Sequence, residues 1–378
     1  MSGFSVEDNK GVYGAKIKVI GVGGGGGNMV NHTIREGFDK VEMVVANTDA
    51  QALDRSLAKT KIQLGAMKTK GLGAGMNPDL GKEAAEESYD IIKDALEYSD
   101  IVFIASGFGG GTGTGAAPVV ARAAKENKAL AIGVVTTPFD FEGKKRMRLA
   151  LEGIEELKKE CDSIIIVSNQ KLISLIDRKG GIKDCFKTVD NVLSRAVIGM
   201  SSIILDSGDD NINLDFADVK KVMSHRGLAL MGLGVSEGDE APQEALKDAI
   251  DSPLLNEMNI EGALGLLIHF KFHPDCPFYD ITEAMTMARD LVHEEADIIF
   301  GTTYDETLKN NRVEVTLIAT GFEEKKALED NAKPEPTNED IRKEHFERRL
   351  KKISGENFNS DDIYDELEKP SYYRNRMD

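Results

Sequence analysis

Residues 101–115 read Ile-Val-Phe-Ile-Ala-Ser-Gly-Phe-Gly-Gly-Gly-Thr-Gly-Thr-Gly, and the fold follows from them. Ile101–Ala105 is an apolar run of the length expected for a buried strand. It feeds a glycine loop, and the spacing beyond the loop predicts a helix around Ala116–Asn127. A strand, a glycine loop and a helix in that order turn backbone N–H groups and the positive helix end toward one spot. Glycine matters there because side chains would hold an anion away from the backbone. Thr112 and Thr114 add hydroxyl donors to the loop.

A second loop of the same kind lies upstream. Ile17–Val22 reads as a buried strand, followed by Gly21-Val22-Gly23-Gly24-Gly25-Gly26-Gly27-Asn28, a helix over Asn28–Gly37 and a strand over Val41–Ala46. Alone, this loop fits the dinucleotide pattern as Gly21-x-Gly23-x-x-Gly26, with Asp49 as the acid past the next strand. A nicotinamide oxidoreductase stays open on that loop. A dinucleotide has one pyrophosphate, however, and two loops at neighbouring strand ends suit a longer phosphate chain. Neither Gly81-Lys82-Glu83 nor Gly143-Lys144-Lys145 completes the Walker pattern, and Asn127-Lys128-Ala129-Leu130 is one acid short of a Ras-like guanine motif. With no lysine in either loop, backbone dipoles and a bound cation, Mg²⁺, are expected to offset the phosphate charge.

Outward from the loops the chain alternates. Helical spacing over Leu80–Tyr98 and Met147–Glu160 is interleaved with strands at Ala129–Val135 and Ser163–Val167. The expected fold class is α/β, a Rossmann-like, mostly parallel sheet covered on both faces. Ile182–Leu205 breaks the rhythm with a long, largely apolar helix. Longer strands follow at Leu228–Val235, Gly262–Phe272 and Arg312–Thr320, with helices near Pro242–Asp251 and Ile281–Glu295, which suggests a second, smaller α+β domain. Past Gly321 the chain is charged and broken by Pro334 and Pro336, as a linker would be, with a marginal helix over Glu339–Ile353.

Composition narrows the function classes. A net charge of −18 makes duplex nucleic acid an improbable main partner. Cys161, Cys185 and Cys276 have no metal-ligand spacing and read as reduced thiols; no metal-binding residues are expected. The start, MSGFSVEDNK, lacks a signal peptide's features, and no uninterrupted apolar run approaches the roughly 20 residues of a bilayer span. The expectation is a soluble cytoplasmic protein without direct membrane insertion.

The segment Gly109–Gly115, GGGTGTG, is the signature of the tubulin/FtsZ family, and the chain resembles the FtsZ branch, which acts in bacterial cell division, over roughly residues 15–320. The resemblance extends to Val22–Asn28, Asn47-Thr48-Asp49-Ala50-Gln51, Gly71–Pro78 and Thr136-Thr137-Pro138-Phe139. It implies a GTPase that binds GTP or GDP, with Mg²⁺ held mainly through phosphates and water. Gly24, Gly25, Gly26, Gly27, Asn28, Gly111, Thr112 and Gly113 would hold phosphates. Glu142 and Arg146 would contact the ribose and nearby phosphate, Asn169 and Asn191 would read the guanine edge, and Phe186 would stack on the base. Many relatives carry Asp where this chain has Asn191, and Asp190 stands beside it.

Asn211-Ile212-Asn213-Leu214-Asp215-Phe216-Ala217-Asp218 puts an amide and two acids before a helix, a pattern that also suits helix capping. The resemblance makes it a catalytic loop, with Asp215 and Asp218 orienting the attacking water and Asn213 supporting them. Phe186 and Asn191 lie early in the long helix, and the rest of it climbs roughly 20 Å at about 1.5 Å per residue. The acids therefore belong at the far end from their own nucleotide, so a head-to-tail neighbour would supply them, and a repeated unlike contact makes a filament. Residues 363–376, Ile-Tyr-Asp-Glu-Leu-Glu-Lys-Pro-Ser-Tyr-Tyr-Arg-Asn-Arg, read as a docking peptide, and Pro370–Arg374 resembles the family's terminal adaptor-binding peptide. The resemblance thus implies a homopolymer, adaptor or regulatory partners, and recruitment to the division site at midcell. The expected division is a flexible start (1–14), a GTP-binding α/β domain (15–181), a central helix with catalytic loop (182–222), an α+β domain (223–321), a linker (322–362) and a docking peptide (363–378).

Overall fold

Both glycine runs sit at the carboxyl ends of adjacent strands. The computed structural model describes residues 15–173, 181–205, 216–224, 227–255, 263–292, 295–309 and 311–322. Met1–Lys326 group as one unit, and the second unit, Ala327–Asp378, lies outside the described residues. So do the expected flexible start, Asn213, Asp215, nearly all of the expected linker and the docking peptide.

In chain order the first half runs β1 (Ile17–Val22), α1 (Gly23–Arg35), β2 (Glu42–Asn47), α2 (Ala50–Asp54), β3 (Thr60–Gln63), α3 (Ala66–Thr69), α4 (Pro78–Glu87), α5 (Tyr89–Ala95), β4 (Ile101–Gly107), α6 (Thr112–Glu126), β5 (Leu130–Thr137), α7 (Lys144–Glu160) and β6 (Ser163–Ser168). The second half runs α8 (Asn169–Leu172), α9 (Ile182–Leu205), α10 (Phe216–Met223), β7 (Gly227–Glu237), α11 (Ala241–Ile250), β8 (Gly265–Phe272), α12 (Phe278–Leu291), β9 (Asp297–Tyr304) and β10 (Arg312–Thr320). The strand order is β3-β2-β1-β4-β5-β6-β7-β10-β8-β9. From β3 to β7 every pairing is parallel.

Strand β7 belongs to two pairings. Its first residues continue the parallel sheet, with Gly227 opposite Ser163, and the remainder pairs antiparallel with β10, from Leu230–Ala319 to Glu237–Arg312. The switch from α/β to antiparallel pattern thus happens within one strand.

The sheet has a layer on each face. Met29 and Val30 of α1 pack with Val192, Val197, Met200 and Ile203 of α9 and Val222 of α10 on one side. Val119 and Val120 of α6, Ile92 of α5 and Ile154 and Leu157 of α7 pack on the other. Such two-sided burial explains why the parallel strands read as continuous apolar runs instead of alternating. A third core joins α11 and α12 to β8 and β10 through Leu246, Ile281, Phe270 and Leu317.

Helix α9 is the one helix among the described residues long and apolar enough to cross a membrane by length and composition, although no uninterrupted apolar run of that length exists. Its apolar face is committed to the core, with Val189, Leu193, Ala196 and Ile204 buried.

Candidate functional site

Strand order reverses between β1 and β4, because β2 and β3 lie to one side and β5 and β6 to the other. At such a switch point the helices that follow the two strands leave toward opposite faces and open a crevice at the strand ends. Here those helices are α1 and α6. The crevice is a cleft of about 320 Å³.

At one end the two helix starts meet. A Cβ at Gly23 would lie 2.8 Å from Gly113 N, and one at Gly25 would lie 3.0 Å from the Gly107 backbone, so the loops touch. Gly23 also has a φ of +72°, a conformation that disfavours any residue with a Cβ. Neither helix has a side-chain cap or an acid in its first turn. Their free N–H groups and positive ends therefore face the same space, which suits an anion. The Thr112 hydroxyl is fixed by Thr48 Oγ1 at 2.6 Å, and Thr114 Oγ1 accepts the Gly109 N–H at 2.9 Å.

The other end is shaped for a flat ring. Phe186 is 43 % exposed, and Phe139 backs it edge-on with ring centroids 5.7 Å apart. Asn169, at the start of α8, is buried, and its Oδ1 has no hydrogen-bond partner among the described residues. Asp190 lines the same end, and burial pushes its carboxyl up to about 7, with Arg35 acting weakly the other way. Between the ends, Glu142 accepts the Phe139 N–H at 2.9 Å and is ion-paired with Arg146.

Of the residues singled out from sequence, Gly24, Gly25, Asn28, Gly111, Thr112, Gly113, Glu142, Arg146, Asn169 and Phe186 line this cleft. Gly26 and Gly27 do not; both are buried behind it, and a Cβ on Gly26 would stand 2.1 Å from the Ala105 carbonyl oxygen. Asn191 is exposed and lines two other cavities. The reason is helical phase: five residues beyond Phe186 is about 140° round the helix, whereas four is about 40°. Asp190, Val189 and Leu193 therefore share the Phe186 face, and periodicity could have selected them. Asp218 is exposed in the first turn of α10 and is not among the cleft residues.

Residues 16–177 match the Tubulin/FtsZ family, GTPase domain, and residues 227–323 match the FtsZ family, C-terminal domain. A solved FtsZ dimer from M. jannaschii is 43 % identical, with a TM-score of 0.79, over 85 % of this chain and 94 % of that one. The chain belongs to the FtsZ family. A tryptophan-to-tyrosine point mutant of M. jannaschii FtsZ agrees at 44 % identity and a TM-score of 0.78, over 82 % of this chain and 92 % of that chain. CetZ2 from Haloferax volcanii, solved as a GTPγS-bound protofilament, shares the fold at 20 % identity and a TM-score of 0.68, covering 84 % and 99 % of the two chains. As an FtsZ-family member the chain is a GTPase, and its family implies guanine-nucleotide binding and filament formation.

Proposed function

We propose that GTP lies along the cleft with its phosphates at the starts of α1 and α6 and its base against Phe186. What carries this reading is the meeting of two uncapped helix N-termini at one end of a cleft whose other end holds an exposed aromatic face and the buried Asn169 oxygen, which has no hydrogen-bond partner among the described residues. Guanine offers N1–H and N2–H₂ donors on one edge. An ionised Asp190 and the Asn169 oxygen supply acceptors for them, whereas adenine has no donor at N1. In this reading Asp190 takes the place at the base that the family resemblance assigned to Asn191. Arg146 and Glu142 stand beside the ribose and phosphates.

Among the described residues no group of three His, Cys, Asp or Glu could hold a metal. Mg²⁺ would accordingly be held by phosphate oxygens, water and hydroxyls such as Thr112, where it neutralises phosphate charge.

Hydrolysis needs a water aligned with the terminal phosphorus, so that its oxygen bonds to phosphorus as the bond to the β–γ bridging oxygen breaks. The acids for this come from a second copy. From Asp190 to the end of α9 is about 22 Å along the helix axis, and Asp218 follows beyond it. Head-to-tail stacking brings Asp218, with Asp215 and Asn213, onto the neighbour's phosphates, and the chain polymerises as a cytokinetic ring in cell division. We assign residues 15–181 to nucleotide binding, 182–222 to the connecting helix and acid loop, 223–321 to a C-terminal α+β domain, and 322–362 to a linker. The docking peptide at 363–378 takes adaptor proteins, in the cytoplasm at midcell.

Electron microscopy with GTP and with GDP tests this. Filaments should form with GTP and disperse as it is consumed. Steady GTP hydrolysis by a chain that forms no filament at any concentration would contradict it.

A further inference from the structure

Strands β5 and β6 run parallel with Thr137 opposite Ser168, so the residues that follow them leave the sheet side by side. After β5 come residues 138–143, which bring Glu142 to the cleft; after β6 comes α8, which brings Asn169 to its base end. Successive residues of a helix point about 100° apart. Gln170 therefore points elsewhere than Asn169, and it is not among the residues that line the cleft. Its Oε1 instead accepts the Asp140 N–H at 3.1 Å.

Residues 138–143 are otherwise tied largely to themselves. The Phe139 N–H goes to Glu142 Oε1 at 2.9 Å, the Glu142 N–H to the Phe139 carbonyl at 3.0 Å and the Gly143 N–H to the Asp140 carbonyl at 3.1 Å. The Phe139 ring is buried, stacks on Phe141 with centroids 5.0 Å apart and meets Phe186 edge-on. Glu142 is also ion-paired with Arg146 in the first turn of α7. These contacts give the segment its shape and anchor its Phe139 end. The Asp140–Gln170 bond ties its backbone to the element that carries Asn169.

We propose that Gln170 is a positioning residue for the nucleotide: it holds residues 138–143 so that Glu142 meets the ribose hydroxyls while Asn169, its neighbour in the chain, meets the base. The inference rests on the placement of GTP proposed above. An ionised carboxylate has about four acceptor sites. On Glu142 the Phe139 N–H and Arg146 occupy only part of them, which leaves acceptor capacity for the sugar. Ordering a loop at the moment of binding costs affinity, and a segment already held in place avoids that cost. Gln170 supplies the hold without touching the ligand, so its loss is felt at the sugar and not at the base or the phosphates.

The test uses the full chain and compares GDP with 2′,3′-dideoxy-GDP, which lacks both ribose hydroxyls, by isothermal titration calorimetry. Wild type should bind GDP more tightly than the dideoxy nucleotide. Gln170→Leu removes the acceptor and should weaken GDP binding about threefold to tenfold, the net worth of one hydrogen bond. Its affinity for dideoxy-GDP should stay at the wild-type value. Gln170→Glu keeps an acceptor oxygen and should restore most of the GDP affinity. Should Gln170→Leu not fold, Gln170→Ala takes its place with the same expectation. An equal loss for both nucleotides in the folded variant, no loss for either, or a Gln170→Glu no better than Gln170→Leu overturns the role of Gln170 and leaves the nucleotide placement standing. A wild type that binds both nucleotides equally contradicts the placement of Glu142 at the ribose, and the inference falls with it.

Discussion

If guanine lies against Phe186 as proposed, Asp190 links its binding to pH, and replacing Asp190 with asparagine isolates that link. Burial holds its carboxyl near a pKa of about 7 in the nucleotide-free protein. Accepting two guanine N–H groups requires the ionised form, so bound guanine lowers this pKa and binding releases the proton. With a pKa of about 7, roughly nine-tenths of the carboxyl is ionised at about pH 8 and roughly one-tenth at about pH 6. GDP affinity should therefore fall about tenfold across that interval from this group alone. The GDP phosphate titrates in the same range, so the informative quantity is the difference between wild type and Asp190→Asn, measured by isothermal titration calorimetry. At about pH 8 the variant should bind GDP at least tenfold more weakly than wild type, the effect of losing hydrogen bonds to a charged group. Toward about pH 6 the two affinities should converge.

The same group acts on stability with the opposite sign. A raised carboxyl pKa means the folded chain keeps a proton that the unfolded chain releases between about pH 4 and about pH 7. Asp190 thus costs stability above about pH 7, and the cost fades as pH falls through that window. Nucleotide-free Asp190→Asn should melt higher than wild type at about pH 8, with the gap closing on acidification. Equal pH dependence of GDP affinity in the two proteins would refute the placement of Asp190 at the base.

Other perturbations separate packing from binding. Gly24→Ala meets no protein atom within 4 Å, so it should leave the melting temperature of the nucleotide-free protein unchanged and weaken GTP binding. Gly26→Ala forces a Cβ against the Ala105 carbonyl oxygen and should destabilise the fold by about 1–3 kcal/mol, read from denaturant unfolding. Asp218→Ala should keep GDP affinity and lose about 10²–10⁴-fold of hydrolysis. Mixing it with Gly24→Ala should restore part of the activity, because a sound cleft can then meet a sound acid.

The fold was legible where pattern and burial coincide. Ile17–Val22, Ile182–Leu205 and Arg312–Thr320 have the bounds that the apolar runs indicate. Glycine runs misled at helix starts: α1 begins at Gly23 and α6 at Thr112, because glycines that pack against the neighbouring loop adopt helical turns despite poor propensity. Helical spacing over Leu80–Tyr98 concealed a break. Ser88 accepts the Gly65 N–H and donates to the Gln63 carbonyl, and that tie to a distant loop separates α4 from α5. Strands β3 and β9 were not read. The first is only four residues long, and the second has a mixed burial pattern with no clear alternation.

In the site, the cleft-facing glycines were legible from the loops, but the distinction of Gly24 from Gly26 was not, since it depends on which Cα faces the sheet. Gly111 is a further case. A Cβ there would strike Ala74 and the Asn77 backbone N, so serine at Gly111 would displace the loop before α4.

The central claim, that each catalytic site is completed by a second copy, is tested most directly by GTP hydrolysis per chain as a function of protein concentration. Phosphate release is followed from dilutions at which sedimentation detects no filament up to those where filaments predominate. The rate per chain should be close to zero at the dilute end and rise steeply as filaments appear, because Asp218 is not among the residues that line its own chain's cleft. A rate per chain that stays constant down to the filament-free dilutions would contradict the account and require the acids to act within their own chain.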